Sequence, residues 1–171
     1  MAKAPSDMQE GPGFFDEIEE PEQSRSGRRM IVEADGGARG NPGPAAYGAV
    51  VRDAQTMKVL AAEGLPIGRA TNNVAEYRGL IAGLEMAREL DPTAAVEVRM
   101  DSRLVIEQMA GRWKVKHADM KTLALQAARL RPAAVTWTWV PRELNKAADT
   151  LVNRALDGDP VPRQYPVDRP G

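Results

Sequence analysis

The feature that most constrains this chain is a change of hydrophobic period at Thr71. Before it, MIVEAD (30–35), AAYGAVVRD (45–53) and VLAAEGLPI (59–67) are short β-compatible runs separated by Gly/Pro or Asp/Gln turns, which predicts an antiparallel meander. After it, NNVAEYRGLIAGLEMAREL (72–90) places Val74, Tyr77, Leu80, Ile81, Leu84 and Ala87 on one helical stripe. Thr71 or Asn72 suits the N-cap, Glu76 falls in the first turn, and Asp91-Pro92 stops the helix.

The remaining segments alternate: a strand over 95–101, helices over 102–111 and 120–131, a strand over 135–141 and a helix over 145–158. The predicted order is βββαβααβα. That is an α/β fold with a five-stranded mixed sheet, three antiparallel strands then two parallel, and helices on both faces. Trp137 and Trp139 share one face of the last strand, and core packing is expected for at least one of them.

A chain of 171 residues with 43% hydrophobic content supports one core, assigned to residues 30–158. Residues 1–29 carry four basic and seven acidic side chains among Pro, Gly and Ser, and read as a disordered acidic tail with Phe14-Phe15 as a docking candidate. DPVPRQYPVDRPG (159–171) reads as a Pro-rich tail or linker. No apolar run reaches the roughly 20 residues of a membrane span, and the acidic N-terminus is unlike a signal sequence, so a cytoplasmic protein is expected. With no cysteine and one histidine, His117, any metal must be held by oxygen.

Four acids stand out by position: Asp35 and Asp101 at strand ends, and Glu76 and Asp149 near helix starts. Each alone has a structural reading as a cap or a response to the helix dipole. Adjacent central strands would bring Asp35 and Asp101 to one sheet edge, where two carboxylates repel unless a cation neutralises them. Four hard oxygen donors suit Mg²⁺ or Mn²⁺, and two such ions serve phosphodiester hydrolysis without a side-chain nucleophile.

DGGARGNPGPAAYGAV, TNNVAEYRGLIAGL, MDSRLVIEQM and WVPRELNKAAD, in this order, resemble the four motifs of the ribonuclease H type 1 family over residues 30–157. The resemblance implies metal-binding acids at Asp35, Glu76, Asp101 and Asp149. It implies RNA contacts at Gly36, Gly37, Arg39, Gly40, Asn41, Asn72 and Asn73, and a DNA-phosphate contact at Thr71. The implied reaction is endonucleolytic cleavage of RNA in RNA–DNA hybrids, leaving 5′-phosphate and 3′-hydroxyl ends.

The match departs at two places. The loop before Asp149 lacks the histidine of many relatives, which leaves Arg142 or Glu143 to take part of its role, while His117 reads as a surface or helix-start residue. A basic, Trp-rich protrusion is also absent or very short, so Trp113 and Lys114, with Arg112 and Lys116, form either a small basic-aromatic patch or a solvated loop with one Trp packed on the core. These variants resemble a subtype found as the N-terminal domain of bifunctional bacterial proteins with a histidine-phosphatase domain. A monomer acting on hybrids is expected, with double-stranded RNA as a second candidate ligand. A non-cleaving binding module and a DNA-processing nuclease of the same fold are the competing readings.

Overall fold

The computed structural model describes residues 27–166. The acidic segment up to residue 26, with Phe14-Phe15, lies outside the described residues. In chain order the elements are β1 (Arg29–Ala38), β2 (Gly43–Asp53), β3 (Val59–Ala70), α1 (Asn72–Leu90), β4 (Ala95–Met100), α2 (Arg103–Met109), α3 (Ala118–Arg129), β5 (Val135–Trp139), α4 (Lys146–Leu156) and β6 (Val161–Gln164). A single 3₁₀ turn, Arg142–Leu144, precedes α4.

The sheet order is β5-β4-β1-β2-β3-β6. β1, β2 and β3 form the expected meander, and β4 and β5 add in parallel on the far side of β1. The register sets Glu33 opposite Arg99, so two residues further on Asp35 and Asp101 reach the same edge of two adjacent strands.

The sheet has six strands where five were expected. Val161 and Gln164 pair with Gly64 and Ala62 of β3, inside the stretch read as a tail. Val161 is buried with Val50 and Leu151. Arg163 meets Glu63 at 3.0 Å, Glu85 at 2.8 Å and Glu89 at 3.3 Å, tying the strand to β3 and α1. These partners are distant in sequence, which is why local pattern did not announce the strand.

Alternation along β2 divides the core into two layers. Tyr47, Ala49 and Val51 join the large cluster under α1 and α3, with Tyr77, Leu80 and Leu84. Ala46 and Val50 face the other way, against Val152 and Leu151 of α4. Both faces are therefore covered, and α1 and α4 approach the edge that carries Asp35 from opposite sides. Trp137 packs partly buried on the core, whereas Trp139 is exposed.

Two further expectations change in detail. β1 runs on through Asp35 to Ala38, still paired with β2, so the turn proper is Arg39 to Pro42. Glu76 lies in the second turn of α1, one residue beyond the first. No helix among the described residues is long and apolar enough to cross a membrane.

Candidate functional site

An open cleft of about 350 Å³ at this edge is lined by all four acids, each delivered by a different segment. Asp35 comes from β1, Glu76 from α1, Asp101 from the bend after β4, and Asp149 from the first turn of α4. Gly36, Gly37, Arg39, Asn72 and Arg142 share the same lining.

Local structure explains how α1 delivers Glu76. Thr71 accepts a hydrogen bond from the Val74 amide at 3.3 Å and caps the helix. The helix can then lie on β1 because Gly36 has no side chain: a Cβ there would fall 2.1 Å from the carbonyl carbon of Ala75. Gly36 is thus a packing requirement that sets Glu76 beside Asp35.

The acids perturb one another. Burial pushes the Asp35 carboxyl up to about 8, and Asp101, Asp149 and Glu76 push in the same direction against the opposing Gly36 amide. Burial likewise raises Glu76 to about 7, assisted by Asp101, although the Ser102 hydroxyl opposes it by donating to Glu76 at 2.9 Å. Arg142 pairs with this group, its Nη2 standing 3.5 Å from Asp149 Oδ1. No cation among the described residues pairs with Asp35, Glu76 or Asp101 in an ion bridge.

The polar rim is equally specific. Asn72 accepts from the Ala38 amide at 2.8 Å through Oδ1, while its own amide donates to Asn41 Oδ1 at 3.1 Å. These two bonds hold the glycine-rich turn against the start of α1. Gly40 stands at φ +93° in that turn, a backbone state that favours glycine, and lines no part of the cleft. Arg39 is exposed and pairs with Asp157 at 2.8 Å.

Thr71, Asn41 and Asn73 line a neighbouring depression with His117, which begins α3 exposed and makes no capping bond. Asn73 also borders a groove of about 640 Å³ with Trp113, Lys114, Arg112 and Lys116. Trp113 is 46% exposed, so the packed-tryptophan alternative does not describe it. A larger groove, about 710 Å³, opens at the opposite end of the sheet near Arg29, Ala95 and Thr136 and is remote from the acids.

Three residues that the sequence does not assign to this site hold it in place. Asn145 is 1% exposed, and its Nδ2 donates to Asp101 Oδ1 and to the Ala34 carbonyl, both at 2.9 Å. Ser102 caps α2 and also binds Glu76. Trp139 donates its indole N–H to the Asp101 carbonyl at 3.2 Å, with the Arg103 guanidinium 4.5 Å above its ring. Only the Asn before the last helix offered a signal, and there it reads as an ordinary cap.

The fold and the edge acids define a class that comparison with known proteins makes specific. A profile described as Reverse transcriptase-like matches residues 33–155. The bifunctional protein Rv2228c of Mycobacterium tuberculosis (strain ATCC 25618 / H37Rv) is 57% identical over 131 residues, covering 75% of this chain and 36% of that protein. The solved N-terminal RNase H domain of Rv2228c, from Mycobacterium tuberculosis and fused to maltose binding protein, superposes with a TM-score of 0.74 at 55% identity, over 77% of this chain and 96% of that one. LC11-RNase H1, solved in complex with an RNA/DNA hybrid, gives a TM-score of 0.71 at 41% identity, over 75% and 97% of the two chains. The chain belongs to the ribonuclease H family. It spans about a third of the length of Rv2228c.

Proposed function

We propose that this domain is an endonuclease that hydrolyses the RNA strand of RNA–DNA hybrids, with Asp35, Glu76, Asp101 and Asp149 as its catalytic acids. The observation that carries the reading is the arrival of four carboxylates from four separate segments in one open cleft. The solved complex of LC11-RNase H1 with a hybrid supports the substrate class.

Among the described residues no group of three His, Cys, Asp or Glu side chains forms a ready-made ligand cage. The donor set nevertheless fits a hard divalent cation. It consists of oxygen donors alone, and burial together with mutual repulsion holds Asp35 and Glu76 well above ordinary carboxylates. Asp35, Glu76, Asp101 and Asp149 would hold two ions, Mg²⁺ or Mn²⁺. When bound, such ions supply Lewis-acid activation of water and charge neutralisation at the scissile phosphate.

The chain's own groups do the remaining work. Gly37 and Asn72 border the acids and are positioned to face the sugar edge of RNA, where the 2′-hydroxyl distinguishes the strand. Arg39, Gly40, Asn41 and Asn73 extend this contact along the RNA, and Thr71 grips a phosphate of the DNA strand. Trp113 and Lys114 form a short substitute for a longer basic protrusion, offering a ring face and a charge to the hybrid backbone. Arg142, exposed beside Asp149, is the group placed to assist departure of product.

Cleavage between the phosphate and the 3′ oxygen leaves 5′-phosphate and 3′-hydroxyl ends. A cysteine-free chain acting on hybrids is assigned to the cytoplasm, as a monomer or as the N-terminal part of a longer bifunctional protein. The test is one assay on labelled hybrid, double-stranded RNA and all-DNA duplex with Mg²⁺ or Mn²⁺. Selective cutting of the RNA in the hybrid is expected. Tight binding without cutting would replace the reading with a binding module, and cutting of all-DNA duplex with a DNA-processing nuclease.

A further inference from the structure

One neutral side chain at the start of α4 reaches both Asp101 and the backbone beside Asp35. Asn145 Nδ2 donates to Asp101 Oδ1 and to the carbonyl of Ala34, the residue before Asp35. Asn145 also carries Asp149 one turn further along α4, its main-chain carbonyl accepting the Asp149 backbone amide at 3.1 Å. Although Asn145 stands at the N-cap of α4, its side chain makes no capping bond there. Its Oδ1 is buried without a partner, so the residue leaves one buried acceptor unsatisfied while its amide nitrogen serves both β1 and Asp101.

We infer that Asn145 is a positioning residue, which keeps Asp35, Asp101 and Asp149 in register by linking β1, the bend after β4 and the start of α4. The neutrality of the carboxamide is part of the role. A carboxylate in its place would repel Asp101 and could not donate to Ala34. The fourth acid joins the frame through Ser102, the neighbour of Asp101, whose hydroxyl binds Glu76. This inference rests on the reading of the four acids as the catalytic cluster.

The test compares Asn145→Ala and the near-isosteric Asn145→Asp with the parent and with Val96→Ala, a buried-core change remote from the cleft. Steady-state cleavage of hybrid is measured together with binding of Mn²⁺ alone, followed by the paramagnetic signal of free Mn²⁺, at a temperature where circular dichroism shows each protein folded. Both Asn145 variants should lose about 10- to 100-fold in kcat with little change in KM, and should bind Mn²⁺ about 10-fold more weakly. Val96→Ala should lower the unfolding temperature and keep kcat and Mn²⁺ affinity near the parent's.

A folded Asn145 variant with kcat and Mn²⁺ affinity within about twofold of the parent overturns the inference. Equal loss in Val96→Ala overturns it also, by reducing the effect to stability. A parent that neither binds Mn²⁺ nor cuts hybrid instead removes the underlying reading of the acids, a distinct result.

Discussion

The Ser102 hydroxyl donates to Glu76 Oε1 at 2.9 Å and accepts the Val105 amide at 3.2 Å. One oxygen therefore caps α2 and orients an acid carried by α1. Removing it in Ser102→Ala should lower stability by about 1 kcal/mol, the usual worth of a cap, and reduce kcat more than KM. Urea unfolding and steady-state kinetics on hybrid measure the two effects. Unchanged kcat would mean that Glu76 needs no such orientation.

Gly36 and Gly37 look equivalent in the sequence and should behave differently. A Cβ on Gly36 collides with the Ala75 backbone, whereas one on Gly37 meets only Val152 Cγ1 at an ordinary 3.7 Å. Gly36→Ala should destabilise by about 1–3 kcal/mol or more, while Gly37→Ala should fold normally and raise KM for hybrid. Thermal unfolding separates the first effect, and a Gly37→Ala enzyme with parental KM would end the claim that this backbone approaches RNA.

In chelator the folded protein should lose stability as pH rises from about 5 to 8. Asp35 titrates near 8 when folded against an ordinary 3.8, so between those values unfolding releases a proton and higher pH favours it. Asp35→Asn should escape the Asp35 share of this loss, leaving that of Glu76, gaining on the order of 5 kcal/mol over the parent by pH 8, and the two should converge as pH falls toward 4. Added Mg²⁺ should narrow the gap, since a cation favours the ionised acid. Parallel pH profiles in chelator would contradict the electrostatic picture.

β6 should prove integral to the domain. Glu63 is 5% exposed and bonds both Tyr47 and Arg163, so Arg163→Ala strands a buried carboxylate. A loss of about 2 kcal/mol or more is expected, and truncation after Gly158 should lower the unfolding temperature further. If truncation leaves that temperature unchanged, 161–164 is only an appendage.

Strands β1 to β5 and the four helices were legible because period and caps are local: the α1 stripe from Tyr77 to Ala87 is buried as its spacing implies, and Thr71 caps the helix. β6 was not legible, because VPRQ has four residues, a proline and no clear alternation, and its support comes from Glu63, Glu85 and Glu89 far earlier in the chain. The glycines after Asp35 looked like a turn, yet they continue a strand whose bareness admits α1. Asp35, Glu76, Asp101 and Asp149 stood out in the sequence and do share one cleft. Asn145 was hidden because its role depends on where Ala34 and Asp101 lie in space.

The central claim is most directly tested by incubating the purified parent and Asp101→Asn with a hybrid labelled on each strand, with Mn²⁺, and mapping product ends. The parent should cut only the RNA, leaving 5′-phosphate and 3′-hydroxyl termini, and the variant should be slower by at least about 10³-fold. Equal cutting by the two proteins, or cleavage of the DNA strand, would contradict the assignment of the acids and of the substrate.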